Sequence, residues 1–344
     1  MRLHKHLVSV LAGTMLASFA LAAQAQDFAG KTLVVGVWGG DIERLLRENA
    51  AGPLEKETGA KVEFVLGGSG DRMARIYAEK SNPTMDVAFL NIYEAPQALA
   101  DGIVEAPDEN SDMYKNTWPG MAKGCYAMST NALGIAYNKT LFPEPPEWAD
   151  MWKPEFKGKI ALAPYPSTEA DSILGIAARL AGKDEHDADA AFGKLAELKP
   201  VALTYTSLDE IFGMMDAGDV AMAPMISGFV IAALKNHPDL GFSFPKNPGP
   251  VVVRDMLCLV KGSPNPELAK KFAELALGVK NQKDYAEQLF FGPTNKNVEL
   301  PADVSAVVID KPEEVESLIQ LDWPYVMEQR SAWTLRWNKE ILDQ

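Results

Sequence analysis

From residue 33 the chain repeats one grammar: a short apolar run, a glycine-rich break, then a stretch with helical period. Residues 33–38 (LVVGVW) suit a buried strand, and Gly39-Gly40 end it. Residues 41–58 follow as a helix with Ile42, Leu45, Leu46, Ala50 and Leu54 on one face, stopped at Gly59. A second strand at 61–66 leads through Gly67-Gly68-Ser69-Gly70 into a helix over 71–80. A third strand at 86–90 precedes a helix over 94–101. Successive strand–helix units predict an α/β fold with mixed, mostly parallel sheets and ligand loops at the strand C-termini.

The middle of the chain uses the same grammar. Strands are expected at 159–163, 201–204 and 220–224, with helices opened by Ser167-Thr168, Ser207 and Ser227-Gly228 and another over 187–198. A chain of 344 residues exceeds the size at which a single core stops growing, so two lobes are expected. Two apolar segments, 131–138 and 251–261, read as strands crossing between them. The division expected is 26–132 plus 256–300 for the first lobe and 133–255 plus 301–344 for the second. Residues 312–342 read as helical with a break at Pro324, and Trp323, Tyr325, Trp333 and Trp337 as packing anchors.

The N-terminus bears on location. Arg2 and Lys5 precede an apolar run over 7–22, and Ala23-Gln24-Ala25 places small residues where a signal peptidase reads them. Residues 1–25 are therefore expected to be a cleaved leader, and the rest a periplasmic protein with no membrane-inserted segment. The formal charge of −14 becomes more negative once that leader is gone, which disfavours nucleic-acid partners. Two cysteines, Cys125 and Cys258, permit one disulfide in an oxidising compartment or stand as two buried thiols.

Several fragments, in order, resemble the periplasmic solute-binding proteins of the spermidine/putrescine-binding type. They are Trp38-Gly39-Gly40, the 53–59 segment PLEKETG, Asp86-Val87, the 134–139 segment GIAYNK, the 261–267 segment KGSPNPE, Gly292-Pro293-Thr294-Asn295-Lys296 and Trp337-Asn338. The resemblance implies the two-lobed periplasmic binding protein fold, with a hinge of two crossing strands closing over a solute. It further implies a monomer that delivers its cargo to an inner-membrane ABC permease, with no cofactor.

The resemblance also points to site residues. Trp38 matches an aromatic that lines the cleft, and could face an alkyl chain or an ammonium; packing at the lobe edge is the alternative. Glu169 and Asp255 match amine-contacting acids. A helix-start acid would account for Glu169 without a ligand, and a pair with Arg254 or Arg72 would account for Asp255. Asn91 and Tyr93, at the end of the third strand, are further candidates. The aromatic box of a polyamine binder is largely missing, since Asp41, Ile92, Met225, Val253 and Gly292 stand in its places. Helix-start donors stand instead at Gly39-Gly40, Ser69-Gly70-Asp71, Ser167-Thr168 and Ser227-Gly228, and such starts suit acidic groups. The expected cargo is a small polar solute, polyamine-like or carrying both an amine and an acid, such as an amino acid derivative.

Two rival readings are weaker. An enzyme would need a nucleophile or a metal motif, and none of Gly-x-Ser-x-Gly, His-Glu-x-x-His or Cys-x-x-Cys occurs. A ferric-ion carrier of this architecture would use adjacent tyrosines, and the sequence has no Tyr-Tyr pair.

Overall fold

The computed structural model describes residues 28–342, so the expected leader lies outside the described residues. Twelve strands, numbered in chain order, build the sheets among these residues. The first sheet holds β1 (Thr32–Val37), β2 (Lys61–Leu66), β3 (Val87–Asn91), β4 (Tyr126–Ala127) and β11 (Asp255–Leu259), in the order β2-β1-β3-β11-β4. β1 runs parallel to β2 and β3, joined by the expected helices. β11 runs antiparallel to β3 and β4.

The second sheet is organised around β5 (Ser129–Asn138), ten residues long and buried throughout. It pairs antiparallel with β8 (Met222–Ile226) along one edge. Along the other it meets β9 (Leu240–Ser243) and β10 (Val251–Val253). Its first residues pair with β12 (Gly292–Pro293). The short strands β6 (Ala161–Leu162) and β7 (Leu203–Thr204) pair in parallel, and Ile160 bridges to Met222 to extend the layer.

Among the described residues the fold is thus α/β with two five-stranded sheets, the small β6-β7 pair and two crossings, but antiparallel pairing predominates where parallel was expected. The cause is topological: each crossing strand returns against the βα strands it joins. The second crossing is also two strands rather than one. β10 belongs to the second sheet and β11 to the first, with Arg254 between them.

Local structure follows the residues closely. The helix predicted over 41–58 is present as Asp41–Leu46, a wide π-turn at Arg47–Ala51, and Gly52–Thr58. Pro53 lacks an N–H and crowds the preceding turn, which accounts for the widening. Gly59 ends the helix with φ of 72°, a left-handed cap that glycine adopts without a Cβ penalty. Pro324 does not break a helix: it lies in the first turn of the helix Trp323–Arg336, where a missing N–H costs nothing. Trp323, Trp333 and Trp337 are buried as expected, while Tyr325 is half-buried against His186. Cys125 and Cys258 are joined as a disulfide with Cα atoms 4.9 Å apart. No helix among the described residues is long and apolar enough to cross a membrane.

Candidate ligand cleft

The end of β3, the start of β5 and the junction of β10 with β11 meet where the two sheets join. Asp255 opens β11 directly opposite Asn91 of β3. Its carboxylate accepts a hydrogen bond from the Ser129 hydroxyl at 2.9 Å. Burial pushes its pKa up to about 6, against the opposing pull of Ser129 and the Arg72 charge. Arg254, the next residue back, is not its partner: that side chain turns the other way and donates to the Met121 carbonyl.

Arg72 is the hub of the first-sheet side. It is 3% exposed, and its Nε and Nη1 donate to the carbonyls of Phe89 and Gly67 at 2.7 and 2.6 Å. Its guanidinium lies 4.6 Å from the centre of the Trp38 ring. Gly36 makes room for the stem, because a Cβ there would stand 2.6 Å from Arg72 Cδ. Burial lowers the Arg72 pKa to about 10, offset by Glu94, Asp255 and Asp71. Its Nη2 has no hydrogen-bond partner among the described residues.

Glu94 is buried beside this group. It accepts from the Asn91 backbone N–H at 2.9 Å, and burial raises its pKa against the help of Asn91, Ser69, Arg72 and Arg330. The Asn91 amide donates to Ser69 Oγ at 2.7 Å and to the Tyr93 hydroxyl at 3.0 Å. Tyr93 in turn carries the Arg330 guanidinium 4.1 Å above its ring and packs at 5.8 Å on Trp323. Arg330 also grips Asp171 through Nε and Nη2. Asp171 is fully buried in the helix Thr168–Leu180, and burial raises its pKa although Arg330 counteracts this.

The expected residues therefore divide into groups. Trp38, Ser69, Asn91, Tyr93 and Asp255 belong to one connected cluster, linked by Arg72 and Glu94. Gly39 and Gly40 remain exposed at its edge, before the helix that starts at Asp41. Glu169 couples to the Arg330-bound Asp171, whose charge adds to the rise that burial gives its pKa, and its own charge acts on Tyr205. Ser227 is committed within the protein, donating to Asn131 Oδ1 at 3.1 Å and accepting from Ala132 N at 3.3 Å. The adjacent Gly228 N–H is taken by the same Asn131 oxygen, so that N–H is not an open donor. Ser167 caps its own helix through the Ala170 N–H. Glu94, Asp171 and Arg330 were not among the expected residues. Glu94 stands next to the candidate Tyr93 in sequence, but no local pattern could bring Arg330 from the last long helix to the end of β3.

The profile of the bacterial extracellular solute-binding proteins matches residues 49–313. The chain belongs to that family. This solute-binding protein is 28% identical over 343 residues to the gamma-aminobutyric acid-binding protein of Pseudomonas aeruginosa, covering 93% of this chain and 94% of the relative. It is 25% identical over 304 residues to a spermidine/putrescine-binding periplasmic protein of Haemophilus influenzae, covering 82% of this chain and 81% of the relative. Among solved structures, an ABC transporter protein from Clostridium perfringens superposes with a TM-score of 0.78 at 26% identity, over 90% of this chain and 99% of that one.

Proposed function

We propose that this solute-binding protein captures a small organic zwitterion, carrying an ammonium and an acidic group, where its two sheets meet. The observation that carries this reading is the cluster's charge pattern. Three carboxylates, Asp255, Glu94 and Asp171, and two guanidiniums, Arg72 and Arg330, share one connected set of side chains; Arg330 and Asp171 pair with each other, which leaves Asp255, Glu94 and Arg72 for a ligand. Asp255 suits an ammonium, since a buried carboxylate is costly until a cation joins it. The unpartnered Nη2 of Arg72 suits an acid group. A relative named for gamma-aminobutyrate supports this cargo over a fully cationic polyamine.

In this reading the first lobe comprises 26–132 plus 256–300 and the second 133–255 plus 301–344. The lobes close on β5 and the β10–β11 junction, and the closed form engages an inner-membrane ABC permease. The protein acts in the periplasm after loss of residues 1–25, as a monomer and without turnover, and its acidity keeps it from nucleic acid. Calorimetric titration with gamma-aminobutyrate and putrescine tests the reading. The amino acid should bind more tightly, and Asp255→Ala should weaken it at least about tenfold, or ~1.4 kcal/mol. Tighter putrescine binding, or unchanged affinity in Asp255→Ala with the fold intact, overturns it.

A further inference from the structure

Arg254 is 1% exposed, yet little in the protein answers its charge. Nη1 reaches the Met121 carbonyl at 3.4 Å, while Nε and Nη2 have no hydrogen-bond partner among the described residues. Arg72 offers the contrast: three carboxylates raise its pKa against burial, whereas burial alone acts on Arg254, lowering it to about 10. An arginine keeps its proton, so the charge stays. Glu185, which lines the same cavity as Arg254, is already committed. It accepts from the Asp322 N–H at 2.7 Å and pairs with Arg179 at 2.8 Å.

Arg254 lines a cavity of about 430 Å³ together with Lys123, Met121, Met256 and Trp323, and with two acids, Glu185 and Asp322, the second of which faces His186. One water occupies about 30 Å³ of liquid, so the space is far larger than a water or a halide needs. Arg254 turns to the opposite side of the crossing strand from Asp255, toward Met121 rather than Ser129, and Trp323 touches both this cavity and Tyr93 of the zwitterion cluster. We propose that this cavity is a second ligand site, taking a small organic carboxylate whose head pairs with Arg254 and whose apolar body lies against Met121, Met256 and Trp323. Adjacent Nε and Nη2 donors, both closed to solvent until the side chain turns toward the cavity, form the planar fork that a carboxylate matches in bidentate fashion. The thioether and indole walls favour one charged head on an apolar body over a multiply charged anion.

Benzoate is a suitable probe, titrated into the intact protein by calorimetry at fixed ionic strength. Saturable binding is expected in the wild-type protein, weakened at least tenfold in Arg254→Met and held within twofold in Asp255→Ala. Arg254→Lys keeps a cation and guards against a folding failure in the first variant; loss of the fork should weaken benzoate about fivefold. Quenching of tryptophan fluorescence by benzoate should vanish in Trp323→Phe. No saturable heat, affinity indifferent to both Arg254 substitutions, or displacement by equimolar chloride overturns the proposal. So does a loss of benzoate binding in Asp255→Ala, which would assign the carboxylate to the zwitterion cluster instead.

Discussion

Asp255 carries a burden that the folded protein does not fully relieve. Its carboxyl is raised to about 6 by burial, against roughly 3.9 in an unfolded chain. A group raised on folding contributes stability that is fully present below the unfolded value and is lost as pH rises through the folded one. From this residue, the protein therefore loses stability between about pH 4 and pH 6, and an ammonium ligand restores it by pairing with the ionised form. Affinity for an ammonium-bearing solute should rise about tenfold from pH 5 to pH 7 as the carboxylate ionises, then level off. Calorimetry across that range checks this, with Asp255→Asn expected to give a much flatter profile. A wild-type profile as flat as the variant's would remove Asp255 from the contact. Glu94 is shifted in the same direction, so any slope left in the variant belongs there.

At the scale of elements, the disulfide fastens the segment before β4 to β11. It closes a loop of 133 residues, which spans the first crossing and much of the second sheet. Restricting so long a loop in the unfolded chain is worth several kcal/mol in the entropic account. Replacing both cysteines by alanine should lower unfolding free energy by about 2–5 kcal/mol, read as a shifted urea midpoint with little change in slope. Elements of this kind were the most legible part of the sequence. Apolar runs and glycine stops marked β1 to β3 and their helices, because strand length and helix caps are written within a few residues of themselves. The direction of pairing around β5 and β11 was not legible, since it depends on which lobe a strand returns to. The same limit governs the cluster: Asn91, Tyr93 and Asp255 stood at strand ends that sequence could locate. Arg330 reaches Tyr93 across 237 positions of chain, and only tertiary packing could reveal it.

For the whole molecule, the Asp171–Arg330–Tyr93 chain ties the helix Thr168–Leu180 and the last long helix to the end of β3. Arg330→Gln removes the cation and leaves Asp171 buried without its partner. Loss of one member of such a pair should cost about 3–5 kcal/mol, and Asp171 should then take up a proton at higher pH. Thermal unfolding from pH 5 to pH 8 checks both, with the deficit growing toward high pH; a deficit independent of pH would mean that Asp171 finds another partner. The placement of β11 has a consequence of a different kind. It lies between β3 and β4 in the first sheet, so residues 255–259 complete a layer whose other strands end by residue 127. A chain that emerges N-terminus first cannot finish that layer until some 130 further residues have followed. Its early strands must wait with an open edge, held back from premature partners, and the timing of delivery becomes part of how this architecture is assembled.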